Sequence, residues 1–180
     1  MLVLRLSGGE LPWMMCSASF MSPSPFSPQQ FEELLPLAAA WAEEQEARIL
    51  ANGVALSGTQ MADAQWIGVA HPERVRLLAV PSVPRPRHPI LEAGCEATGL
   101  LGSRTLGLTL RYGIFVREDF TGDRFLIAHE LVHTSQYERL GGISEFLRQY
   151  LHECLTIGYP EAPMEQEAIV MAERLRDMVG

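Results

Sequence analysis

The amino-acid sequence predicts an α+β fold, with a first helix, a small sheet and a helical C-terminal part. Two observations carry this prediction. Apolar residues recur at helical spacing in residues 29–50 and again after residue 124. Between these regions, Leu106, Leu108 and Leu110 alternate with Thr and Gly, which is the period of a half-buried strand.

The chain divides into a lead of residues 1–26 and one domain of residues 27–180. Its 180 residues are enough for a single core and short for two domains. The lead is Ser- and Pro-rich near its end, and Ser7-Gly8-Gly9-Glu10 interrupts the apolar run that a signal peptide needs. We therefore expect a disordered lead and a cytoplasmic protein. The three scattered cysteines also suit a reducing compartment.

Two helices are predicted in the first third of the domain. Ser27-Pro28 is a typical N-terminal signal for the helix over residues 29–50, and Gly53 ends it. Residues 59–69 form a second, short helix. Together they precede the sheet.

Residues 75–80 form a β-type run that leads directly into four prolines. Proline lacks the N–H group that pairing inside a sheet requires. We therefore expect an extended connection or a sheet edge here, with His88 on the surface.

A β-hairpin is predicted over residues 106–116, and its second strand runs into the first of three C-terminal helices. These helices cover residues 124–140, 143–155 and 163–178. Glycines follow the first two, and Pro163 suits the first position of the third.

The composition excludes two classes of partner. A net charge of −8 and a pI near 5.1 oppose binding to nucleic acid, because phosphate binding requires a cationic surface. No stretch of about twenty apolar residues is present, so we expect no membrane partner. The oligomeric state is not predicted.

The segment His129-Glu130-Leu131-Val132-His133 carries the strongest functional signal. On a helix, residues i and i+4 lie above one another, so His129 and His133 can direct their imidazoles at one metal ion. Glu130 is turned roughly 100° from His129, which places its carboxylate beside a water bound to that ion. This pattern predicts a zinc site with Glu130 as general base.

The surrounding residues strengthen the metal hypothesis. The first two turns of this helix are apolar nearly all round, which indicates a buried helix. Two imidazoles and a carboxylate in a core are costly unless they are paired or bind a metal. Chance placement on an ordinary helix is therefore disfavoured.

A strand pair followed by a helix with H-E-x-x-H resembles the zincin metallopeptidases, and the HELVH segment resembles small bacterial zincin-like domains. The resemblance implies that residues 114–117 or 106–111 form the strand at the upper edge of a substrate cleft. No histidine occurs between residues 134 and 142, so the metzincin spacing is absent. The gluzincin clan then implies a glutamate ligand on a later helix, and Glu165 matches its pattern.

The helical wheel gives a separate reason for Glu165 over the alternative third ligand, Glu167. Glu165 lies beside an apolar stripe together with small residues that allow close helix packing. Glu167 lies on the other flank near Arg174, where a solvated ion pair explains it. His152 is a further alternative ligand, ranked below Glu165.

The resemblance also implies a group that stabilises an oxyanion. We name Tyr159 first, because it lies in the turn shortly before Glu165. The other candidates are Tyr112, Tyr137, Tyr150 and His152. Position 169 is Ile where several gluzincins have an acidic residue that orients a histidine.

The sequence therefore predicts a zinc-dependent hydrolase, a metallopeptidase that binds one Zn²⁺ and acts on peptides or proteins. An alternative is a catalytically silent zincin-like module with a structural metal, which binds a partner. A third hypothesis is a helical interaction protein without metal.

Overall fold

The computed structural model describes residues 26–179. The predicted disordered lead, residues 1–26, lies outside the described residues except for Phe26. The predicted α+β class is confirmed. The elements are α1 (Pro28–Asn52), β1 (Val54–Ala55), α2 (Gly58–Ile67), β2 (Arg76–Val80), α3 (Pro89–Thr98), β3 (Gly107–Leu110), β4 (Gly113–Arg117), α4 (Arg124–Leu140), α5 (Ile143–Thr156) and α6 (Pro163–Val179).

Serine side chains begin the first two helices. Ser27 and Ser57 each accept a hydrogen bond from a backbone N–H of the first turn, and the side chains of Gln30 and Gln60 each accept one from the N–H of the capping residue. Both predicted helices are present. The second ends at Gly68, whose φ of 95° favours glycine.

The four strands form one mixed sheet in the order β1-β2-β4-β3. β2 pairs with β4 in parallel, and the other two pairings are antiparallel. The expectation that residues 75–80 form a connection or sheet edge is wrong, because β2 has a neighbour on both sides. The reason is that the first proline, Pro81, follows the last paired residue, Val80. The predicted hairpin is β3 and β4, and β3 lies at one edge of the sheet.

Helices cover both faces of the sheet, with one apolar core on each. Ile114 and Val116 point to a core shared with α2, α4 and α6. Phe115 points to the opposite core, shared with α1 and α5. A Cβ on Gly113 would lie 2.9 Å from Ile49, so the glycine allows α1 to pack closely. α3 has no counterpart among the predicted elements, and it packs against α1 and α5.

Among the described residues, no helix has the length and apolar character needed to cross a membrane.

Candidate metal centre

Helix α4 carries the HExxH segment through the core. Asp123 caps its N-terminus by accepting hydrogen bonds from two backbone N–H groups. His129 and Glu130 are fully buried, and His133 is only 2% exposed. The burial expected from the apolar flanks is confirmed.

Helix α6 brings Glu165 to the two histidines. Its small residues Ala168 and Ala172 are buried against α4, so the helices approach closely, and Glu165 is itself fully buried. The small residues predicted beside Glu165 therefore do pack against the histidine helix. The cluster of His129, His133 and Glu165 can hold a metal ion.

The three side chains are spaced like ligands around one ion. The Nε2 atoms of His129 and His133 lie 3.1 Å apart. Glu165 places Oε2 at 3.4 Å from His129 Nε2 and Oε1 at 3.3 Å from His133 Nε2. Ligands at about 2.0–2.1 Å from a tetrahedral zinc ion lie roughly 3.3 Å from one another. The two histidine nitrogens have about this separation, and each of them lies at about this distance from a different oxygen of Glu165.

The protonation states also suit metal binding. Burial lowers the pKa of His129 to about 4, so its imidazole is neutral near pH 7. Burial acts to raise the pKa of Glu165, whereas the hydrogen bonds from His129 and His133 act to lower it, and this pKa lies below its usual range. A neutral imidazole and an ionised carboxylate are the forms that bind metals.

Glu167, the alternative third ligand, lies outside the cluster. Its carboxylate accepts hydrogen bonds from Gln136 at 2.9 Å and from Arg139 at 2.7 and 3.1 Å. The expectation that it lies near Arg174 as an ion-pair partner is wrong. Arg139 is its partner because α4 and α6 pack side by side. A helical wheel of α6 alone cannot show this contact.

Gln136 links Glu167 to His133. Its Nε2 donates to the carbonyl of Met164 and to Glu167, both at 2.9 Å. Its Oε1 therefore faces His133 Nδ1, at 2.8 Å, and accepts a hydrogen bond from it. This bond leaves the Nε2 lone pair of His133 directed at the cluster, the orientation that a metal ligand needs.

We predict that Gln136→Met weakens zinc binding by about 10–100-fold, because the bond that orients His133 is lost. Methionine matches the length of glutamine without its hydrogen bonds. Competition with a coloured chelator measures the affinity, and Gln65→Met, at an exposed position of α2, is the control. Equal affinity in the two variants would contradict the orienting role.

His129 is held differently. Within residues 26–179, its Nδ1 atom has no hydrogen-bond partner. Position 169 of α6 is Ile, whose side chain offers no hydrogen-bonding group. Packing, including the ring of His133 at 4.8 Å between centroids, positions His129 instead.

Tyr150 contacts the cluster. Its hydroxyl donates to Glu165 Oε1 at 2.5 Å, and burial, together with the charge of Glu165, raises its pKa well above 10. It therefore remains a donor. Tyr159, the residue named first from sequence, packs partly buried against the core shared with α1.

The remaining sequence candidates have other contacts. The hydroxyl of Tyr112 donates to Glu138, and that of Tyr137 donates to the carbonyl of Thr109. His152 is exposed on α5, with its ring against Phe31. His88 is exposed, as expected.

Edge strand β3 positions Glu130. The Thr109 hydroxyl lies 2.7 Å from Glu130 Oε2 and 2.9 Å from the Glu130 carbonyl oxygen. Oε1 has no hydrogen-bond partner within the described chain, although it is buried. Such an atom is costly unless a ligand or water completes it. Thr109 thus holds one carboxylate oxygen of Glu130, and the other oxygen is available to a ligand or water.

Gly107 provides the space for this carboxylate. A Cβ at position 107 would lie 2.5 Å from Glu130 Oε1 and 2.8 Å from its carboxyl carbon. Real Cβ atoms do not approach so closely, so any other residue would displace Glu130.

We predict that Gly107→Ala lowers the free energy of unfolding by about 1–3 kcal/mol, the usual effect of overpacking. Urea denaturation measures this change. Gly122→Ala is a matched control, because a Cβ there has open space. If both variants were equally stable, the close contact with Glu130 would be refuted.

No family model, no curated protein and no solved structure matches this chain.

Proposed function

We propose that this protein is a zinc-dependent metallopeptidase with Glu130 as general base. The observation that carries the proposal is the buried cluster of His129, His133 and Glu165, which can hold a metal ion, with Glu130 directly following His129 on α4. Two histidines and one glutamate form the ligand set of a class of catalytic zinc sites, in which a fourth position would remain for water.

The metal, when bound, would polarise the carbonyl of the substrate and lower the pKa of a bound water to about 7. Glu130 takes the proton from the attacking water and later releases it to the leaving amine. Thr109 holds Oε2 during these transfers, so that Oε1 is the atom that receives the proton. Tyr150 keeps Glu165 in place by donating to Oε1.

The position of β3 supports a peptide substrate. Within the described sheet, β3 pairs with β4 on one side only. An extended peptide can pair with the other edge of such a strand and gain backbone hydrogen bonds. Because β3 also holds Glu130 through Thr109, a peptide on this edge would lie beside the base.

A structural metal site in a partner-binding module is the second candidate. It is favoured by one observation: His129, Glu130 and Glu165 are fully buried, and structural zinc sites keep no open position for water. Such a protein would lose thermal stability on chelation and cleave no peptide.

Digestion of a broad peptide library by the zinc-loaded protein separates the two candidates. Mass spectrometry of the products detects cleavage at any sequence that the library contains. We expect cleavage that stops when zinc is removed and returns when it is restored. If the protein binds zinc and cleaves no peptide, the peptidase proposal fails and the structural site is favoured.

A further inference from the structure

An apolar cavity of about 110 Å³ adjoins the metal-ligand cluster. His133, Tyr150 and residues 108–110 of β3 line it. Helices α1, α3 and α5 form its other walls. Representative lining residues are Ala38, Trp41, Leu91, Leu108 and Phe146.

The lining defines the chemistry of an occupant. None of the described residues around the cavity is Asp, Glu or Arg, and its polar side chains include His133, Thr109 and Tyr150. A charged group here would lose its hydration without gaining a partner. An apolar cavity of about 150 Å³ is known to hold a benzene molecule. The cavity therefore suits one apolar group of about the size of a leucine side chain.

The cavity and the cluster share side chains. His133 is a member of the cluster and Tyr150 donates to Glu165, and both also line the cavity. A stack of aromatic rings forms one wall, with centroids 3.6 Å apart between Tyr137 and Phe146 and 5.3 Å apart between Phe146 and Tyr150. A molecule with one group at the cluster can thus place an adjacent group in the cavity.

We propose that this cavity binds one apolar side chain of an extended peptide whose neighbouring carbonyl lies at the cluster of His129, His133 and Glu165. The inference rests on the proposed function and names its substrate class: peptides with a leucine-like residue next to the cleaved bond. Peptides with glycine or a charged residue at that position are disfavoured, because they leave the cavity empty or bury a charge.

Two hydroxamates, which chelate zinc, test this inference by calorimetry on the zinc-loaded protein. N-acetyl-leucine hydroxamate and N-acetyl-glycine hydroxamate differ only in the apolar side chain. We expect the leucine compound to bind roughly 10–100-fold more tightly, the effect of burying such a side chain. In Ala38→Leu, which fills the cavity from α1, most of this difference should disappear while the glycine compound binds as before. Ala40→Leu, exposed on the same helix, is the control and should keep the difference.

Equal binding of the two compounds would overturn the inference, as would a difference that Ala38→Leu leaves unchanged or no binding of either compound. The peptide library separates this result from the proposed function. A leucine preference in binding without any cleavage supports the cavity and refutes the peptidase. Cleavage without preference for an apolar residue refutes the cavity alone.

Discussion

Replacing Glu130 with glutamine is expected to lower peptide hydrolysis by about 10²–10⁴-fold while zinc remains bound. Glutamine preserves the size of the side chain and an oxygen that can accept the hydrogen bond of Thr109. It cannot take a proton from water, so only the base is lost. Steady-state rates and metal content measured on the same preparation test both parts.

Glu173→Gln is the matched control, because Glu173 is exposed on α6. It should change neither rate nor zinc content. Full activity in Glu130→Gln would exclude Glu130 as the base. Loss of zinc in that variant would instead make Glu130 a ligand.

Replacing Glu165 with alanine is expected to weaken zinc binding by more than about 100-fold, because loss of a partner outside the ligand set already costs roughly 10–100-fold. The variant leaves two imidazoles without the anionic oxygens that lie 3.3 and 3.4 Å from them. Glu167→Ala should cost no more than about tenfold, since Glu167 acts on His133 only through Gln136.

Chelator competition measures both affinities under the same conditions. The pair is well matched, because the two glutamates lie two residues apart on α6. The reverse order of affinities would assign the third ligand to Glu167.

The cluster of His129, His133 and Glu165 was accessible from sequence because each part of it follows a helical period. His129 and His133 are one turn apart, and the apolar flanks of their helix indicate burial. Glu165 stands beside small residues on its own helix, which marks the face that approaches a neighbour. Local patterns of this kind do not depend on knowing the tertiary contacts.

The residues that orient the cluster were not accessible in the same way. Thr109 reaches Glu130 across 21 positions, and Tyr150 reaches Glu165 across 15. Gly107 has an ordinary strand pattern, and only the packed carboxylate shows why a side chain is excluded. The Gln three residues after His133 was a visible signal, although its partner in α6 was not.

Strand β2 shows a different cause of error. The prolines that begin at Pro81 correctly indicate the end of pairing, but they do not determine the position of the preceding strand in the sheet. Its position between β1 and β4 depends on a parallel pairing with residues 113–117, far along the chain.

Metal content tests the central claim most directly. The wild-type protein, purified without chelators, would be analysed by native mass spectrometry and elemental analysis, with Glu165→Ala in parallel. We predict one zinc ion per chain in the wild type and almost none in the variant. A wild-type protein that carries no metal, even after incubation with zinc, would contradict the assignment of His129, His133 and Glu165 as a metal centre.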